Sequence, residues 1–286
     1  MKKGVVIFAH NSREVDYALT SVVSGFLAKK NLEVPVTLIS DTSTVEWMDK
    51  SNIYDKALRV FENIIEVDRP VYENSRVLHD GINSKTVPFI NANRSDVWKL
   101  TPYDRTLMID SDFLIFSKEL SEFWDSDVDL MISPAMRDLR GDRIGYHDIW
   151  VSDEGIPLYW ATTVMFTKNS KTRLFFDLVS FIKKNYSLFS EIYRFRNTIY
   201  RNDISFSIAK HIFDGYEFIQ NNHLPEVLTA QDKDLIHSFY DSGLRILLSD
   251  PISESASSIV NLKGRDIHLM NKESIVRISQ DILEKI

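Results

Sequence analysis

Two aspartates, Asp110 and Asp112, stand one residue apart inside the otherwise apolar run "LMIDSDFLIF". A hydrophobic strand has no use for them, because a buried carboxylate costs free energy unless a partner offsets its charge. Residues one apart on an extended chain point to opposite sides, so both carboxylates reach one ligand only if the backbone turns here. With such a turn, the pair suits Mg²⁺ or Mn²⁺. These ions take a few carboxylate oxygens and fill the rest of their shell from water and phosphate. The competing explanation is a pair of loop aspartates that cap the next element or make Asx turns.

The elements around the pair favour a ligand. "GVVIFA" (4–9), "VPVTLIS" (34–40), "NIIEV" (63–67) and "RTLMID" (105–110) are short apolar runs that read as buried strands. Residues 13–30 have helical apolar spacing, and the alternation without hairpin turns predicts a parallel sheet covered on both faces. Asp110 then falls at the carboxyl end of a strand, where open α/β sheets bind ligands.

After residue 125 the pattern changes. "VDLMIS" (128–133) and "PLYWATTVMFT" (157–167) are predicted strands, separated by a polar loop over 134–156 with three glycines. Helices are expected over 171–189 and 191–213, and "NKESIVRISQDILEKI" as a final amphipathic helix. With no repeat, low-complexity tract or Pro/Ser-rich linker, the chain reads as one domain over 1–286.

The chain has 286 residues, a formal net charge of -7 and no cysteine. The charge disfavours long-range attraction to bulk nucleic acid or an anionic membrane. The cysteine count excludes disulfides, thiolate chemistry and cysteine zinc sites. The apolar run near the N-terminus breaks at His10-Asn11, too short for a signal peptide, and no stretch reaches the length of a transmembrane span. These features predict a cytoplasmic protein.

The longer segment "LTPYDRTLMIDSDFLIF" resembles the signature of the retaining, glycogenin-like glycosyltransferases (family eight and its relatives). The resemblance implies a GT-A fold: α/β, with a Rossmann-like, mostly parallel central sheet flanked by helices. Residues 1–125 would form the nucleotide-binding half, and 126–286 a mixed α+β acceptor-side half. It also implies transfer of a hexose from a UDP-sugar with Mn²⁺ or Mg²⁺, retaining the anomeric configuration. Asp110, Asp112 and His268 would hold the metal, with Ser111 in the donor site. "FAHNSREVDYALTSVV" resembles the family's opening segment, so Ala9, His10, Asn11 and Ser12 would line the uridine pocket and Tyr17 would pack on the base. A strand-to-helix turn at this point offers free backbone N–H groups to a diphosphate. Arg94 would hold the donor phosphates or sugar, as guanidinium suits phosphate, with Lys99 as its rival. Lys272 would meet the diphosphate. Asp203 would contact the sugar and stabilise an oxocarbenium-like centre while the leaving phosphate takes the acceptor proton.

The chain departs from the family at Ala161-Thr162-Thr163 and in "YRNDISFS", which leaves the acceptor open: a glycan, a lipid-linked glycan, a protein or a modified DNA base. Lys183, Lys184, Arg194, Arg196 and Arg201 interleave with Tyr186, Phe189, Tyr193, Phe195 and Tyr200, a pattern that can grip and stack nucleic acid. An amphipathic helix with packed aromatics is the alternative. Two further classes remain. One is an Asp-x-Asp phosphatase of the haloacid-dehalogenase kind, although Phe113-Leu114 replaces its usual Gly-Thr. The other is a catalytically silent nucleotide-binding module.

Overall fold

Strand β1 (Lys3–Ala9) is the centre of a sheet that takes strands from both halves of the chain. It runs parallel to β2 (Val36–Asp41) on one side and β6 (Arg105–Asp110) on the other. Strand β3 (Asn63–Val67) extends the parallel set past β2. Beyond β6, β10 (Trp160–Thr167) runs antiparallel between β6 and β8 (Leu130–Ser133), giving the order β3-β2-β1-β6-β10-β8. The computed structural model describes residues 1–68, 74–79, 84–89, 93–141, 149–152, 155–195, 200–217, 223–250 and 257–286. The mostly parallel sheet flanked by helices is the fold class expected from the sequence. Val5, Val6 and Ile7 of β1 have no exposed surface, which explains the unbroken apolar run: a strand covered on both faces needs no alternation.

Helix α1 (Tyr17–Leu32) links β1 to β2, and α2 (Thr42–Lys50) and α3 (Tyr54–Val60) link β2 to β3. A hairpin of β4 (Asn74–His79) and β5 (Ser84–Phe89), then the short α4 (Val97–Leu100), precede β6. After β6 come β7 (Phe113–Leu114) and, past β8, β9 (Met136–Asp138). Helices α5 (Ser170–Lys184), α6 (Tyr186–Ile192) and α7 (Asn202–Phe213) follow β10. The last part holds β11 (Val227–Ala230), β12 (Leu235–Tyr240), β13 (Gly243–Ser249), β14 (Ser257–Lys263), β15 (Ile267–Leu269) and α8 (Lys272–Leu283).

A second sheet, in the order β7-β15-β11-β9, joins the two halves, and β12-β13-β14 form an antiparallel meander beside it. Leu114, Ile267, Leu269, Ile246, Ile275 and Ile278 are among the residues of a second core between this sheet, the meander and α8. Helix α1 serves both cores. Ala18, Val22 and Ala28 join the central cluster, while Val23 and Leu27 join the second. A helix wedged between two cores is apolar on more than one face. Among the described residues, no helix is long and apolar enough to cross a membrane.

Several local expectations are corrected. The chain does contain hairpins, at β4–β5 and in the meander. The expected loop over 134–156 contains β9, although residues 142–148 and 153–154 lie outside the described residues. The helix expected over 191–213 is two helices, with Arg194 in the left-handed region (φ 53) just past α6. The helix begun at α5 is likewise divided from α6 at Asn185.

The meander depends on a glycine. A Cβ on Gly243 would stand 1.9 Å from the Leu262 carbonyl oxygen on the paired strand, and backbone cannot swing aside as a side chain can. Gly243→Ala is therefore expected to destabilise the protein by about 2 kcal/mol or more in denaturant unfolding. An unchanged midpoint would show that β13 and β14 separate at no cost.

Candidate functional site

Strand β6 ends at Asp110, the chain turns through Ser111 and Asp112, and β7 leaves the central sheet for the second one. The two aspartates occupy that corner. Strand β15 pairs antiparallel with β7 and sets His268 opposite Phe113, while the Leu269 amide donates to the Asp112 carbonyl at 3.0 Å. One short ladder thus carries a residue from near the C-terminal end of the chain to the turn after β6. Asp112 and His268 are buried and Asp110 is partly exposed.

Ligand atoms of Asp110, Asp112 and His268 all lie within 4.8 Å of one another. His268 Nε2 stands 3.3 Å from Asp112 Oδ1 and 3.9 Å from Asp110 Oδ2. The outer oxygens are occupied by cations. Lys272 Nζ lies 2.5 Å from Asp112 Oδ2, and Arg94 Nη2 donates to Asp110 Oδ1. One oxygen of each carboxylate and one imidazole nitrogen therefore converge. Neighbouring ligands on an octahedral ion with bonds of about 2.1 Å lie about 3 Å apart, so the three groups would draw together to hold Mg²⁺ or Mn²⁺ here. The donor set of two carboxylates and one imidazole fits such an ion.

The electrostatics agree with that fit. Burial pushes the Asp110 carboxyl up; Arg94 opposes this, and the Asp112 charge adds to it. Burial also works to raise Asp112, but Lys272 and His268 outweigh it and hold this carboxyl well below the usual range. Two close carboxylates disfavour each other's ionisation, and a divalent cation would favour the charged form of both.

Arg94 is buried in a single 3₁₀ turn before α4 and makes a second bond, Nη1 to the Ala161 carbonyl at 2.7 Å. Asp203, in the first turn of α7, accepts from the Ala161 amide at 3.0 Å and from Arg201 at 3.3 Å. Ala161 is held from both sides because the β10–β8 register shifts between Trp160 and Val164, turning its peptide groups out of the ladder. The Ala161-Thr162-Thr163 segment thus carries the link through the Ala161 backbone. Lys99 is exposed on α4, so Arg94 is the residue at the aspartates.

The opening turn is tightly built. The Ala9 carbonyl accepts from Ser40 Oγ at 2.6 Å, and His10 Nδ1 pairs with Asp41 Oδ2 at 3.0 Å, both side chains buried. Burial works to raise Asp41, but bonds from His10, Ser43 and Thr44 hold it below the ordinary range. Asn11 Oδ1 accepts from the Ala18 amide at 2.7 Å, Asp16 Oδ1 accepts from Leu19 N at 2.9 Å, and Ser12 Oγ accepts from Glu14 and Val15. The expectation of free amides here is corrected for Ala18 and Leu19: side chains already cap them, and a carboxylate stands where a phosphate would. Tyr17 opens α1 and packs partly buried against the central core. Ser111 is buried in the turn between the aspartates.

The basic–aromatic segment is packed. Phe189, Phe195 and Tyr200 are buried, and Tyr186 meets the rings of Phe195 and Tyr200 at 5.2 and 5.1 Å between centroids. Lys183 donates to Asn93 at 3.0 Å, while Lys184 and Arg194 are exposed and Arg196 lies outside the described residues.

Lys272 and Asp112 form a buried pair, so removing Lys272 takes away the largest charge that opposes the burial of Asp112 and leaves His268. Lys272→Met is expected to cost about 3 kcal/mol at neutral pH in metal-free buffer. A depressed folded-state pKa stabilises above the ordinary carboxylate value of about 3.9, and that stabilisation fades as pH falls through the folded value. The deficit of the variant should therefore shrink towards low pH in unfolding measurements across pH. A pH-independent deficit would assign the loss to packing.

No protein-family model matches this sequence, and no curated protein does. Among solved structures, the chain is similar to the apo form of the glycosyltransferase GlyE of Streptococcus pneumoniae TIGR4. Identity is 15% and the TM-score 0.42, over 77% of this chain and 46% of that one. It is similar to the galactosyltransferase LgtC in complex with donor and acceptor sugar analogs, at 16% identity and a TM-score of 0.43, over 72% of this chain and 70% of that one. The apo structure of the bifunctional glycosyltransferase WbbM matches at 13% identity and a TM-score of 0.38, over 63% and 34%. The chain thus spans less than half the length of GlyE. All three are glycosyltransferases.

Proposed function

We propose that this chain is a GT-A-like glycosyltransferase that moves a hexose from a UDP-sugar to an acceptor hydroxyl, with retention, as a single catalytic unit. The observation that supports it most is the convergence of Asp110, Asp112 and His268 at the carboxyl end of β6, with Arg94 and Lys272 beside them. When bound, Mn²⁺ or Mg²⁺ supplies Lewis-acid stabilisation of the charge that builds on a departing diphosphate.

The chain's own residues do the rest. Arg94 and Lys272 balance the charges of the two aspartates, so a bound divalent ion would leave the site positive towards a nucleoside diphosphate. Their fixed placement is preorganised electrostatic stabilisation. Arg94 spends both terminal nitrogens on Asp110 and the Ala161 carbonyl, which supports a role in fixing the charge at the carboxyl end of β6. Asp203 spends its carboxylate on Ala161 and Arg201, which supports a role in fixing the sugar side of the site. The His10–Asp41 pair and the bonds of Asn11 and Ser12 hold this turn rigid, which supports a role for it and for Tyr17 in holding the base. The packed aromatics of α6 favour an acceptor other than nucleic acid.

The test is a thermal-shift screen of UDP, GDP and CDP with Mn²⁺ or chelator, on wild type and Asp112→Ala. The expected result is stabilisation by UDP that needs Mn²⁺ and is lost in the variant. A response indifferent to metal and to Asp112 would sink the reading. With a donor in hand, Arg94→Lys is expected to lower kcat about 100-fold, since lysine lacks the fork that joins Ala161 to Asp110. A kcat near that of wild type would remove Arg94 from the catalytic machinery.

A further inference from the structure

Two buried polar atoms lack partners next to each other in the second sheet. His268 Nδ1 and Thr229 Oγ1 are both inaccessible to solvent, and neither has a hydrogen-bond partner among the described residues. Strand β11 runs parallel to β15 with Thr229 in register with His268, and on its other side β9 sets Asp138 in register with Thr229. Residues in register on neighbouring strands, about 5 Å apart, point to the same face. Asp138, Thr229 and His268 therefore form a row across three strands that ends at the proposed metal ligands.

The chemistry of the row is directional. If Nε2 faces the aspartates as a ligand, it must be unprotonated, so Nδ1 carries the ring proton and needs an acceptor. Metal-bound histidines nearly always give that proton to an oxygen, which fixes the tautomer and the ring plane. A buried N–H left unbonded would cost about 1–3 kcal/mol. Thr229 is fully buried, and its hydroxyl is the unspent oxygen in register with the ring. The Asp138 carboxylate, which already accepts from Arg140 N and Gln231 Nε2, stands next in the row as an acceptor for the hydroxyl proton.

We propose that Thr229 is a positioning residue for His268. Its hydroxyl accepts the Nδ1 proton, through one buried water or once the two side chains close on each other, and holds the imidazole with Nε2 towards Asp110 and Asp112. The proposal rests on the metal reading of the site. Neither the sequence motif nor the family resemblance points to Thr229.

The test is Mn²⁺ titration, followed by the electron paramagnetic resonance signal of free Mn²⁺, on wild type, Thr229→Val and Thr229→Ser. Valine keeps the shape and removes the oxygen; serine keeps the oxygen. Thr229→Val is expected to weaken Mn²⁺ binding about tenfold, with Thr229→Ser near wild type. Thermal unfolding of the metal-free proteins should be little changed by valine, since an unpartnered hydroxyl contributes no bond there. Equal Mn²⁺ affinity in wild type and Thr229→Val overturns the role of Thr229 and leaves the metal site standing. Loss of affinity that tracks an equal loss of metal-free stability in both variants overturns it in favour of packing. Failure of the wild type to bind Mn²⁺ overturns both readings together.

Discussion

The two-residue ladder between β7 and β15 is the contact on which the candidate site depends. Ile267 opposes Leu114 and His268 opposes Phe113, directly after the turn that holds Asp112. So short a ladder is not stable alone, because a few backbone hydrogen bonds contribute about 1 kcal/mol each. Burial holds it together. Leu114, Ile267 and Leu269 point into the second core, where α1, α8 and the meander close over them. Asp266 adds a polar clamp, its Oδ1 accepting from the Phe116 and Ser117 amides at 2.8 Å each.

Around that ladder the charges are arranged in opposition. The inner oxygens of two carboxylates face one imidazole, while the outer oxygens face an arginine and a lysine from distant parts of the sequence. Each cation is itself tethered: Arg94 to the Ala161 carbonyl, and Lys272 to the Leu269 carbonyl at 3.2 Å. The bulge in β10 and the end of β15 thus become parts of the site through their backbone carbonyls.

Much of the central sheet was legible in the sequence, because strands buried on both faces leave unbroken apolar runs such as "GVVIFA" and "RTLMID". The aspartates were legible for the opposite reason, as charges where the run forbids them. The meander was not, although Asp241-Ser242-Gly243 between two apolar segments is a hairpin signal. Its strands are half-exposed and their alternation is diluted by polar residues. His268 and Lys272 came from family resemblance, since a lone histidine carries no mark of its partners. The cap of α1 by Asp16 is a local signal, whereas the grip on Ala161 and the row through Thr229 depend on strand register and bulges, which local residue patterns do not encode.

The placement of the candidate ligands has a mechanical consequence. Asp110 ends a strand of the central sheet, whereas His268 lies within the second sheet, each backed by its own hydrophobic core. An ion shared by the two would act as a rivet between sheets, closing the intervening chain into a loop as a cross-link does in a protein with cysteines to spare. This chain has none. Occupancy of the site would then restrain how far the two layers can part, so that metal binding and the rigidity of the second sheet rise and fall together.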